Sequence, residues 1–110
     1  DLGDVQELCK RLIIINHGLI IEDGPLEELV ERIAPYKDLV VEFYDEQMVE
    51  HPRAELYKKE GNVAKYRFQK ADITAAQLIQ EISERKAIKD VAIEEVTIDD
   101  IIRIAYHREL

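Results

Sequence analysis

Cysteine, glycine, proline and aromatic residues are all scarce in this chain of 110 residues: one Cys, four Gly, three Pro and, among aromatics, five Tyr, two Phe and no Trp. A single cysteine, Cys9, excludes an internal disulfide, so an oxidising compartment gains no support and a reducing cytoplasm is the expected setting. Cys9 itself reads as a buried helix residue. Positive charge is also short, with 15 Lys plus Arg against 24 Asp plus Glu and a formal charge of -9. Such a surface repels phosphate backbones, which excludes nucleic acid as a partner. The longest apolar runs, Leu12-Ile13-Ile14-Ile15 and Leu19-Ile20-Ile21, fall far below the roughly 18 residues that a bilayer requires. Direct membrane insertion is therefore not expected. No basic segment followed by an apolar one opens the chain, so no signal peptide is read.

What is present is enough for one domain, or one domain and a piece of another. Apolar residues make up 46% and charged residues 35%, a composition far from that of disorder. No internal repeat is read. Val5, Leu8, Cys9 and Leu12 recur at helical spacing, so residues 1–11 read as a helix whose start is missing. With Asp1 in the middle of that pattern and no initiator Met, the chain is expected to be part of something longer. Leu12 to Asn16 and Leu19 to Glu22 read as a hairpin around a three-residue turn, Asn16-His17-Gly18, with Gly18 left-handed. Asp23-Gly24 should break the second strand. Pro25 then opens a helix with Glu27 and Glu28 at its positive end and Leu26, Leu29, Val30 and Ile33 as its apolar stripe.

Pro35 marks the expected boundary between residues 1–35 and residues 36–110. Leu39, Val41 and Phe43 alternate with Val40, Glu42 and Tyr44, as in a half-buried strand. Residues 45–53 read as a loop with one helical turn at most. Residues 54–59 and 63–69 form a second hairpin about Gly61, with Ala64, Tyr66 and Phe68 inward and Lys65 and Arg67 outward. Thr74 and Gln77 make a capping box for a helix with the stripe Ala75, Leu78, Ile79 and Ile82. A strand over 89–96 places Val91 and Ile93 on one face, and Thr97 with Asp100 caps a last helix carrying Ile98, Ile101, Ile102 and Ala105. The fold class is thus α+β: a small, mostly antiparallel sheet with a ferredoxin-like strand-strand-helix-strand unit and flanking helices, preceded by a helix and a β-hairpin.

Candidate chemistry is sparse. His17, His51 and His107 are too far apart for a local metal motif; His17 suits a turn, and His107 suits the negative end of the last helix. Glu42, Asp45, Glu46 and Glu50, and then Asp90, Glu94, Glu95, Asp99 and Asp100, are read as solvated faces and helix caps rather than acid/base pairs. The only serine, Ser83, lies in no nucleophile motif. Tyr36, Tyr44, Tyr57, Tyr66 and Tyr106 are read as sheet packing first and as interface residues second.

The stretch Asp1 to Leu29, DLGDVQELCKRLIIINHGLIIEDGPLEEL, resembles the end of the nucleotide-binding domain of ABC transporter ATPases. Asp4, Gln6, Leu8, Cys9 and Arg11 fit the helical segment that follows that family's switch histidine, Asn16-His17-Gly18 its turn, and Asp23-Gly24 with Glu27-Glu28-Leu29 its tail. Glu94-Glu95-Val96-Thr97-Ile98-Asp99-Asp100-Ile101-Ile102 is similar to the close of an accessory domain in some exporter-type ATPases. The resemblance implies a helix and hairpin left over from the nucleotide-binding domain (1–35) and a C-terminal accessory α+β domain (36–110). It further implies a cytoplasmic subunit, peripheral to the inner face of the cell membrane, that pairs with a permease and whose full-length form uses ATP and Mg. The phosphate-cradling G-x-x-x-x-G-K-[ST] loop is missing from this stretch, since none of Gly3, Gly18, Gly24 and Gly61 is followed by Lys and Ser/Thr. No catalytic, cofactor-binding or metal-binding residue is therefore expected here, and the fragment is expected to bind and self-associate without ATPase activity of its own. The alternative from fold alone is a small-molecule-sensing ferredoxin-like regulatory domain.

Overall fold

A computed structural model of the chain describes residues 11–109; the expected helix over 1–11 lies almost wholly outside them. The elements are β1 (Arg11–Asn16), β2 (Leu19–Pro25), α1 (Leu26–Ile33), β3 (Tyr36–Phe43), β4 (Glu55–Glu60), β5 (Val63–Gln69), α2 (Ala75–Arg85), β6 (Ile88–Glu94) and α3 (Ile98–Glu109). The fold class is α+β as expected, with every strand pair antiparallel. The described chain sorts into two compact units, residues 11–35 with 96–109 and residues 36–95. Pro35/Tyr36 is an edge of both the expected and the observed division. The second edge, Glu95/Val96, was not anticipated: α3, expected with the C-terminal sheet, belongs with the hairpin and α1. Helical periodicity shows that a helix has an apolar side but not which sheet that side meets.

In the unit of residues 36–95 the strand order is β4-β5-β3-β6. β5 and β6 flank β3 and run parallel to each other, with α2 connecting them, which is the split β-α-β arrangement of ferredoxin-like sheets. Alternation on β3 and β5 behaves as expected. Leu39, Val41, Phe43, Ala64, Tyr66 and Phe68 are buried on the α2 side and join Ile73, Leu78 and Ile82 in one core. The β4–β5 turn has positive φ at Gly61 alone (+60°), and Glu60 pairs with Val63; glycine first with positive φ is the pattern of a type II′ turn. Asn62 ties that turn to the end of β3: its C=O accepts the Phe43 N–H at 2.8 Å, and its side-chain amide donates to the Phe43 C=O at 2.8 Å.

No helical turn forms in the loop of residues 44–54; it contains instead an isolated bridge between His51 and Ala54. Met48, Val49 and Ala54 from this loop pack on the core. The capping at Thr74 is half of a box, with the Gln77 N–H donating to Thr74 Oγ1 at 3.1 Å.

In the unit of residues 11–35 with 96–109, β1 and β2 form a two-stranded sheet. Asn16 pairs with Leu19, so the loop is two residues long rather than three. His17 (φ 53°) and Gly18 (φ 76°) are both left-handed, the signature of a type I′ turn. β2 continues through Asp23 and Gly24, which do not break it. Gly24 is buried and pairs with Leu12, and Leu29 of α1 lies over it, 3.9 Å from where a Cβ would stand, an ordinary contact distance. α1 buries Leu26, Leu29 and Ile33. α3 buries Ile98, Ile101 and Ala105 and starts from a full reciprocal box: the Asp100 N–H donates to Thr97 Oγ1 at 3.2 Å, and the Thr97 N–H donates to Asp100 Oδ2 at 3.0 Å.

Candidate functional site

The β1–β2 hairpin has two unlike sides. Leu12, Ile14, Glu22 and Gly24 share the side that α1 covers, where Leu29 lies over Gly24 and Arg32 pairs with Glu22. Ile14 is 3% exposed there. On the other side stand Ile13, Ile15 and Ile20, with Leu19 at the turn; they are 50%, 55%, 62% and 69% exposed. The charges bordering this apolar side are already satisfied, since Arg11 pairs with Asp23 at 2.8 Å. A hydroxyl from α3 reaches the hairpin as well, Tyr106 donating to the Ile15 C=O at 2.8 Å. One side of a two-stranded sheet is thus finished and the other is left bare, an arrangement that gives an isolated hairpin only marginal stability.

A second cluster joins the loop of residues 44–54 to α2. His51, at 8% exposure the only buried polar or charged residue among those described, accepts the Arg53 N–H at Nδ1 (3.0 Å). Its Nε2 therefore carries the proton and faces Glu81 Oε1 at 3.4 Å. Arg53 straddles the same carboxylate with contacts of 3.1 and 3.0 Å. Desolvation raises the pKa of Glu81, but the hydrogen bond from His51 and the charge of Arg53 outweigh it, and the carboxyl lies below its ordinary value. Further along α2, Arg85 donates to the Glu50 C=O and Lys86 pairs with Asp45, which with a backbone bond from Gln47 lowers the Asp45 pKa. From the sheet, Tyr66 donates to the Val49 C=O. Desolvation pushes the buried Tyr66 phenol up. These contacts hold a segment that has no helix or strand ladder of its own; their role is structural.

The sheet face opposite α2 carries paired ions. Arg67 makes two contacts with Asp38 (2.9 and 3.1 Å) and is sandwiched between the rings of Tyr36 and Tyr57 at 4.1 and 4.4 Å. Tyr57 donates to Asp38 at 2.7 Å. Desolvation and that hydrogen bond push the Tyr57 phenol up to about 12, while the Asp38 carboxylate raises Arg67 above its ordinary value. Lys65 pairs with Glu94 at 2.7 Å. Beside them a small depression of about 140 Å³ is floored by Val40, Val63 and Ala92 and edged by Glu42 and Asp90.

The structure scatters the sequence-level candidates. His17 sits in the turn, His51 in the loop cluster and His107 in the last turn of α3. Glu42 receives the Asn62 amide, Glu95 pairs with Lys37, and Asp99 and Asp100 pair with Arg103. Ser83 donates to the Gln80 C=O within α2. Among the described residues no three His, Cys, Asp or Glu side chains gather as a metal site would need, and no helix is long and apolar enough to cross a membrane. Sequence reasoning missed the Tyr36-Arg67-Tyr57 stack, for which the outward position of Arg67 was the one available signal. No family model matches the chain, and no curated protein matches it.

Proposed function

We propose that the chain is the C-terminal region of the ATP-binding subunit of an exporter-type ABC transporter and acts there as an interaction and regulatory module without ATPase activity of its own. The observation that carries this reading is the bare side of the hairpin. The residues that resemble the end of a nucleotide-binding domain form a hairpin finished by α1 and α3 on one side and exposing Ile13, Ile15, Leu19 and Ile20 on the other. Covering those four side chains would contribute roughly 3–6 kcal/mol from the area they still expose. Because Arg11–Asp23 already neutralises the charges flanking that side, the surface they would meet is apolar. A catalytic core fits that description. In the full-length protein that core supplies the groups for ATP and Mg, a permease supplies the path across the membrane, and the subunit lies in the cytoplasm against the membrane's inner face.

Co-expression with the region encoded upstream of Asp1 tests the reading. That region is expected to contain a phosphate-cradling loop, to end in Ser/Thr-His, and to co-purify with this chain. Ile13→Asp with Ile20→Asp should abolish co-purification while leaving the circular dichroism of the chain unchanged. Turnover of ATP by the chain alone, or an upstream region with no such loop, would overturn it. A thermal shift of the chain with amino acids or nucleotides would favour the sensor reading instead.

A further inference from the structure

The four-stranded sheet ends in two unlike edges. β4 is guarded in the usual ways, with a register shift between Leu56 and Lys58 and with Lys58 and Lys59 along it. Every residue of β6 after Ile88 is exposed. On its α2 side stand Val91 and Ile93, 36% and 47% exposed although they lie beside the buried Val41 and Leu39. The open edge of β6 has one plug: Asp90 Oδ1 accepts the Val91 N–H at 2.9 Å. An N–H that bonds to its neighbour's carboxylate is one that β3 does not use.

We infer that β6 is the seam on which a second copy of the chain pairs antiparallel, with Val91 opposite the second copy's Val91. This register sets Asp90 opposite Ala92 and Lys89 opposite Ile93. No like charges then stand directly opposite, and Lys89 comes diagonal to Glu95 of the second copy. Val91 and Ile93 of both copies join in one apolar row across the seam, which covers what α2 leaves bare. Shifting the centre to Ala92 would place Asp90 directly opposite Glu94 and is opposed by that repulsion. The remaining like-charge approaches lie across the diagonals, Asp90 to Asp90 and Asp90 to Glu94 of the other copy, roughly 7–8 Å apart, and Glu94 is already paired with Lys65. Forming the seam therefore requires both Asp90 side chains to release the Val91 N–H groups and turn into solvent. The two-fold pairing closes on itself, whereas pairing β6 with a guarded β4 would build an open filament.

A seam this short buries well under the roughly 1,000 Å² of a stable interface, so it is weak on its own. It rests on the proposed function in one respect: two ATP-binding chains working as a pair would hold their β6 edges at an effective concentration on the order of millimolar, enough to populate it.

Sedimentation equilibrium of the whole chain from about 10 µM to about 1 mM tests the seam, since weak association falls in that range. The expected result is a monomer–dimer equilibrium. Val91→Pro, which removes the N–H, and Ile93→Asp should each weaken it by about tenfold or more, and Asp90→Ala should tighten it by about threefold or more, with added salt acting in the same direction. Ile93→Asp alters an exposed side chain only, so it stays informative if Val91→Pro fails to fold. A monomer throughout, a dimer indifferent to Ile93→Asp or untightened by Asp90→Ala, or a dimer dispersed by Ile15→Asp with Ile20→Asp instead, would overturn it. Because no catalytic core is in the cell, a monomer leaves the proposed function standing, and failed co-purification leaves the seam standing.

Discussion

The two sheets solve the same problem to different extents. In residues 36–95, one face of the sheet is closed by α2 and by Met48, Val49 and Ala54 of the loop, and nine residues form a core at 3% exposure or less. The opposite face is a layer of ions that neutralise one another, such as Lys65 with Glu94 and Arg67 with Asp38. Residues 11–35 with 96–109 bury Ile14, Leu29, Ile33, Ile98 and Ile101 between the hairpin and two helices, but the far side of the hairpin keeps its isoleucines in water. A sheet with charge on its second face is built to end there. One with isoleucine on its second face is built to be continued, and that difference rather than any cluster of reactive groups marks where this chain meets something else.

The comparison predicts unequal responses to truncation. Leu78→Ala empties part of a core with no exposed surface, and chemical denaturation should register a loss of about 2–5 kcal/mol. Ile20→Ala removes a side chain that is 62% exposed and should cost about 0.5 kcal/mol or less in the isolated chain. A cost for Ile20→Ala comparable to that of Leu78→Ala would mean that the hairpin's bare side is already covered in solution.

Much of this was legible beforehand. Strand β5 occupies 63–69 as read, Thr97 and Asp100 form the expected box, and the inward set Leu39, Val41, Phe43, Ala64, Tyr66 and Phe68 is buried. Those features depend on neighbours two to four residues apart. What could not be read depends on distant ones. The stripe of Ile98, Ile101 and Ala105 is equally good for either sheet, and only packing assigns it to the hairpin. Val91 and Ile93 alternate like core residues, yet they lie on an edge strand and remain exposed beyond the part of β6 that α2 reaches. The sequence carries no sign that His51 is buried, because Glu81, its partner, is thirty positions away.

The two units also differ in how their helices begin. α3 has both halves of its box, so Thr97→Ala removes one bond outright, from the Asp100 N–H to Oγ1, and loosens the turn in which Asp100 receives the N–H of residue 97. A loss of about 1–1.5 kcal/mol is expected. Thr74→Ala removes the single bond to the Gln77 N–H at α2 and should cost about 0.5–1 kcal/mol. Equal losses in thermal unfolding would show that the reciprocal bond adds nothing.

Alkaline titration separates the units in another way. The Tyr57 phenol, pushed from 10.0 up to about 12, belongs to residues 36–95. A phenol whose folded pKa lies above its unfolded value stabilises fully below the unfolded pKa, and that contribution is lost as pH rises from 10.0 toward about 12. Amide exchange in β3–β5 should accelerate over that window, and Tyr57→Phe should flatten the dependence. At the acid end, Asp45 and Glu81 lie below their ordinary values. Their contributions are present above 3.8 and 4.5 and fade as pH falls through the lowered values, which should loosen the loop of residues 44–54 before the sheet.

The smallest effect is expected at the two turns. The β4–β5 turn puts glycine at its one position of positive φ, whereas the β1–β2 turn puts His17 at φ 53° ahead of Gly18. Histidine tolerates the left-handed region better than most residues, but the sequence best suited to a type I′ turn is Asn-Gly. His17→Asn should therefore stabilise the hairpin by roughly 0.5 kcal/mol, with no change in the unit of residues 36–95. Nothing lies within 4 Å of where a side chain at Gly18 would begin, so the turn is open on that side. Slower amide exchange in β1 and β2 is the measurement. A destabilised hairpin would mean that His17 makes a contact in solution that offsets its backbone strain, and the turn would then belong with the bare side as part of the surface that meets a partner.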